Sequence, residues 1–128
     1  MKEIIEVEGI RKPDGPFNHI IKAGNFLFLT SQLSVDLETN QIISGDINKQ
    51  TRKAMDNIKL LLKVSGATMD NLVRVVIYMR DVKEFNEINK VYKEYFIEGE
   101  EPARVTVQAS SPIREVDIEI EATAYIQK

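Results

Sequence analysis

Two stretches of this chain are apolar at consecutive positions: "FLFL" at 26–29, and the run from Val73 to Met79, interrupted by Arg74. Successive side chains of a strand point to opposite faces, so an unbroken apolar run marks a strand buried on both. One sheet therefore needs two covers, and the rest of the sequence decides what can supply them.

Only two segments carry a helical period. After Asp46, a candidate N-cap, the residues Ile47, Thr51, Ala54, Met55, Ile58, Leu61 and Leu62 recur at spacings of three and four, and Gly66 is the natural stop. A second helix is predicted from about Lys83 to Phe96, with Phe85, Ile88, Val91, Tyr92, Tyr95 and Phe96 as its apolar residues. The remainder reads as strands and turns. "IIEVEG" is a short first strand, and Pro13 and Pro16 then bracket an Asp-Gly pair in a loop. "FNHIIKAGNFLFLTSQ" gives two strands about a tight turn at Ala23-Gly24-Asn25, and "NLVRVVIYMRD" gives a long third one. In "EPARVTV", Val105 and Val107 alternate with Arg104 and Thr106. In "REVDIEIEATAYIQ", Val116, Ile118, Ile120, Ala122 and Ala124 face one way, and Asp117, Glu119, Glu121 and Thr123 the other.

Two helices and about six strands in this order describe an α+β domain, with both helices on one face of a single sheet. No low-complexity linker or internal repeat divides the chain, so residues 1–128 form one domain. The helices cover one face only. Burying an apolar side chain contributes roughly 1.5–3 kcal/mol, so several left in water would be a serious liability. The second face is expected to be covered by another copy of the chain, making a homo-oligomer.

Composition narrows the chemistry. The net charge of -3 and the lack of a basic run give no reason to expect nucleic acid. No apolar run approaches the ~18 residues of a membrane helix, and "MKEIIEVEGI" carries acids where a signal peptide would be apolar, so a cytoplasmic protein is expected. With no cysteine there is no thiolate nucleophile or thiolate metal site. The single histidine, His19, leaves one possible imidazole base, and a surface or packed histidine is its plainer reading. The isolated glycines match no phosphate-binding loop. Any chemistry here uses carboxylates, arginine, backbone groups and water.

Arg104 is the residue that asks for a partner. Only "SSPIR" separates its strand from the C-terminal one, so the simplest connection is a hairpin across Ser110 to Arg114. That places Arg104 opposite Glu119 or Glu121 on one shared face. Two readings stay open: an ion pair on a wet surface, worth ~0–1 kcal/mol, or a partly shielded fork at a subunit edge that holds a ligand carboxylate bidentately. Spacing does not choose between them.

From "GPFNHIIKAGN" to "VDIEIEATA" the chain resembles the reactive intermediate deaminase family (RidA, also called YjgF). The landmarks are Gly15-Pro16, "AGN" at 23–25, "GDINKQT" at 45–51 leading into "AMDNI", "NEINKVYKEYF" at 86–96, "PARVTV" at 102–107 and "IEIEA" at 118–122. Each is short; their order and spacing together are specific. The resemblance implies a chorismate-mutase-like fold, a single mixed sheet with two helices on one side. It also implies a homotrimer with a barrel-like centre and sites in the clefts between subunits. It implies hydrolysis of enamines and imines such as 2-aminoacrylate and 2-iminobutanoate to 2-oxo acids and ammonia, without metal or cofactor. On the same basis Arg104 corresponds to the carboxylate-binding arginine and Glu119 to the glutamate that handles the attacking water. Phe17, Ser31, Asn89 and Thr106 fall at substrate-binding positions, although Asn89 also reads as a capping or packing residue.

Three departures from the family pattern bear on substrate range. Phe17 stands where active members usually have tyrosine, losing a hydroxyl. Thr30-Ser31-Gln32 stands for Ser-Gly-Gln, and the Cβ of Ser31 is expected to crowd a ligand that glycine would admit. Thr106 replaces a cysteine found in some members, which the mechanism does not require. The alternative to an enzyme is a non-catalytic carboxylate-binding or regulatory trimer using the same cleft. Relatives have also been linked to RNA cleavage, which one histidine and a negative net charge do not favour.

Overall fold

A computed structural model describes residues 1–127. Its elements are β1 (Glu3–Ile5), β2 (Ile20–Ala23), β3 (Phe26–Gln32), α1 (Ile47–Val64), β4 (Leu72–Met79), α2 (Phe85–Tyr92), β5 (Ala103–Gln108) and β6 (Ile118–Tyr125). Short 3₁₀ turns at Val82–Glu84 and Lys93–Tyr95 flank α2, so the helical run occupies the predicted segment.

Local chemistry accounts for the boundaries. β2 and β3 form the predicted hairpin, with Ala23 paired to Phe26 and Gly24 at φ +59° in the left-handed region that a two-residue turn requires. The Asp46 side chain accepts a 2.9 Å hydrogen bond from the Lys49 amide and caps α1. At the other end Gly66, at φ +80°, ends the helix.

The strand order is β1-β2-β3-β6-β4-β5. β6 is antiparallel to both β3 and β4, and β5 is parallel to β4 at the sheet edge. The expected hairpin between β5 and β6 therefore does not form. The chain leaves β4, crosses through α2 and returns beside β4 as β5, the usual connection between parallel strands. β6 then inserts on the other side of β4.

Both helices pack on one face of the sheet, as expected. Leu27, Leu29, Val75, Ile77, Ile118, Ile120 and Ala122 meet Ala54, Met55, Ile58, Leu61 and Leu62 of α1 and Ile88 of α2 in one buried core. The opposite face is bare in the single chain. Ile4, Phe26, Phe28, Val105, Val107 and Tyr125 stand there at 39–47% exposure. Among the described residues no helix is long and apolar enough to cross a membrane.

Candidate functional site

Register decides which way each candidate side chain points. Arg104 pairs with Val75, and Thr106 with Ile77. Val75 and Ile77 are fully buried in the core under the helices, so Arg104 and Thr106 share the helix-bearing face. Glu119 pairs with Tyr78 and Glu121 with Val76, on the bare face. The expectation that Arg104 and the glutamates share one face is thus overturned. In a single chain Arg104 and Glu119 lie back to back.

On the helix side, α2 builds a seat for the arginine. Phe85, Asn89 and Tyr92 follow one another at spacings of four and three and so share a helix stripe. The Arg104 guanidinium carbon lies 4.8 Å from the Tyr92 ring centroid and 5.7 Å from that of Phe85. Stacking of this kind holds a guanidinium by its flat face and leaves its edge N–H groups to bind a planar anion. Among the described residues no carboxylate pairs with Arg104. Nearby, the buried Asn89 Oδ1 and Tyr92 hydroxyl have no hydrogen-bond partner among the described residues. Burial pushes the Tyr92 phenol up to about 12, against the opposing pull of the Arg104 charge.

The bare face carries the other half. β3 bulges between Leu29 and Gln32, where its pairing with β6 shifts. The buried Gln32 side chain donates to the Thr30 carbonyl at 3.1 Å across the bulge, and the Thr30 amide donates to the His19 carbonyl at 2.9 Å. This irregularity directs Ser31 at β6, and its hydroxyl donates a 2.6 Å hydrogen bond to Glu119 Oε1. Re-aiming one side chain is a common use of a bulge beside a site. Ser31 and Glu119 line a cavity of about 500 Å³ together with Phe17, Pro112 and Ile113. The Phe17 ring lies over Gly15, where a Cβ would come within 2.6 Å of Cε1 and the exposed ring would have to shift to admit it.

Glu121 is separately engaged. The Tyr78 hydroxyl donates to its carboxylate, and this bond raises the Tyr78 phenol above its ordinary value. A second, shallower cavity of about 330 Å³ joins Tyr78 and Glu121 to Ser31 and Glu119. His19 is held by a 2.9 Å contact between its Nε2 and the Arg11 carbonyl.

The six candidate residues thus fall into two groups. Arg104, Asn89 and Thr106 belong to the α2–β5 side. Phe17, Ser31 and Glu119 belong to the cavity on the far side. Sequence reasoning missed the role of Phe85 and Tyr92, which read as ordinary core residues of an amphipathic helix. The available signal was the β4–α2–β5 order, which sets α2 over the face that carries Arg104.

The profile of the family described as Endoribonuclease L-PSP matches residues 9–126. A RutC family protein of Pyrococcus horikoshii is 46% identical over 125 residues, covering 98% of each chain. A protein of Dermatophagoides farinae named 2-iminobutanoate/2-iminopropanoate deaminase is 32% identical over 126 residues, again covering 98% of each. Among solved structures, E. coli TdcF with bound serine superposes with a TM-score of 0.86 at 28% identity, over 98% of this chain and 99% of that one.

Proposed function

Because this chain belongs to the endoribonuclease L-PSP family, which includes the RidA/YjgF proteins, we propose that it hydrolyses reactive 2-imino acids to 2-oxo acids and ammonia at sites formed between copies of a trimer. The observation that carries this reading is Arg104: a guanidinium stacked on two rings, with no carboxylate partner among the described residues. A ligand carboxylate answers it. The deaminase name of one relative and the amino acid bound to another support the same ligand class.

Arg104 fixes the substrate by its carboxylate and contributes orientation, not proton transfer. Asn89 Oδ1, an acceptor with no donor among the described residues, is available to an N–H of the imine. Glu119 from a neighbouring copy takes a proton from a water molecule as the water oxygen bonds to the imine carbon. Glu119 then returns that proton to the nitrogen, the C–N bond breaks with its electron pair leaving on ammonia, and the hydroxyl becomes the 2-oxo group as its proton passes to Glu119 and on to solvent. A protonated iminium is already electrophilic, so this small set of groups suffices. The exposed apolar row on the bare face is the surface that neighbouring copies would cover.

The test generates 2-iminobutanoate in situ with an amino-acid oxidase and follows loss of the imine. The protein should accelerate that loss, and Arg104→Ala should abolish the acceleration. No acceleration by the wild type, with 2-oxobutanoate binding that Arg104→Ala loses, would instead make this a carboxylate-binding protein.

A further inference from the structure

Ser31 stands where crowding of the ligand was expected, yet its hydroxyl is already committed. It lies on the bulge of β3, held there by the Gln32 side chain and by the Thr30–His19 backbone bond. From that point it donates at 2.6 Å to Oε1 of Glu119, in a partly buried setting. We infer that Ser31 is a positioning residue for Glu119: its hydroxyl holds one carboxylate oxygen and leaves the other to receive the proton of the attacking water. This rests on the deaminase reading above and gives the serine a role within it.

The physical reason is the freedom of a glutamate side chain. Three rotatable bonds let an exposed carboxylate sample many positions, and a general base works only from within hydrogen-bond reach of its proton. A hydrogen bond to a charged acceptor is among the stronger ones available to a side chain. Ser31 is the one side chain bonded to Glu119 among the described residues, whereas the neighbouring Glu121 is held by Tyr78. The two carboxylates of β6 on this face are each fixed by a different hydroxyl. The two hydroxyls therefore keep the carboxylates in separate positions within the shared cavity. Glycine at position 31 would open space and release Glu119.

The experiment is a kinetic series in the imine assay with Ser31→Ala, Ser31→Gly and Ser31→Thr. Loss of the hydroxyl should lower kcat about tenfold or more, with KM within about twofold, because the bond acts on the base and not on substrate binding. Threonine keeps an Oγ and should restore most of the rate. In a Glu119→Asp background, where the shortened carboxylate retreats from Oγ, Ser31→Ala should change kcat less than about twofold. Urea melts of each variant separate a folding defect from a kinetic one. Wild-type acceleration with full or raised turnover in Ser31→Gly overturns this inference alone. Equal losses from Ser31→Ala in both backgrounds also overturn it, since the effect would not pass through Glu119. A wild type without acceleration overturns the deaminase reading itself, and this role with it.

Discussion

Arg104 and Glu119 point away from each other through the thickness of one sheet. Arg104 sits beside Val75 on the side that α2 covers, and Glu119 sits beside Tyr78 on the side that nothing covers. No side-chain rotation brings them together, because the backbone of β4 and its neighbours lies between. Any chemistry that uses both must borrow one of them from a second copy. The uncovered face, with Phe26, Phe28, Val105 and Val107 exposed, is suited to receive one.

That face predicts the behaviour of a charge placed on it. The wild type should be a trimer by light scattering, and Phe28→Glu should give a monomer or a mixture of smaller species and should remove imine hydrolysis with it. A wild-type monomer, or an undisturbed trimer in Phe28→Glu, would show that copies do not meet there.

The aromatic seat predicts that charge alone is insufficient. Arg104→Lys keeps the positive charge but loses the planar fork and its stacking on Tyr92 and Phe85. Its KM for 2-iminobutanoate should rise about tenfold or more, consistent with loss of one charge-assisted hydrogen bond of a bidentate pair. Wild-type KM in the lysine variant would contradict a bidentate contact.

Asn57 makes a stability prediction away from the site. Buried in α1, its Nδ2 donates to the Leu33 carbonyl at 3.1 Å and to the Val35 carbonyl at 2.9 Å, tying the segment after β3 to the helix. Asn57→Ala leaves two carbonyls without that donor and should destabilise the fold by about 2–4 kcal/mol in urea titration. A change close to zero would mean the segment finds other partners.

Tyr92 predicts an alkaline effect. Its phenol is pushed up to about 12 by burial, from an ordinary value of 10.0. Below pH 10 both states keep the proton and stability does not depend on it. Between about pH 10 and 12 the unfolded chain loses the proton first, so stability falls as pH rises. Tyr92→Phe should reduce that decline in urea midpoints compared at pH 8 and pH 11. Because the hydroxyl has no partner among the described residues, the same change should shift stability at neutral pH by about 1 kcal/mol or less. An unaltered alkaline decline in Tyr92→Phe would show that the decline comes from other groups.

The elements were legible because their signals are local. The period of Ile47 to Leu62, the cap at Asp46 and the Gly24 turn each depend on a few neighbouring residues, and each is where the pattern placed it. Pairing depends on distant contacts. The shortness of "SSPIR" argued for a β5–β6 hairpin, but β5 had already been led back to β4 by the helix between them. That one misplaced pairing put Arg104 on the wrong face and hid its contact with Tyr92. The Ser31–Glu119 bond was hidden for a different reason. A bulge changes which way a side chain points, and strict alternation along "FLFLTSQ" does not reveal it.

The proposed site takes Arg104 from one copy and Glu119 from another. Arg104→Ala and Glu119→Gln subunits should each be inactive alone. Unfolded together in equal amounts and refolded, they should regain about a quarter of wild-type imine hydrolysis, the share of interfaces in a randomly mixed ring that join the two intact halves. Mixed trimers that form, verified by mass, yet remain as inactive as either parent would contradict a site shared between copies.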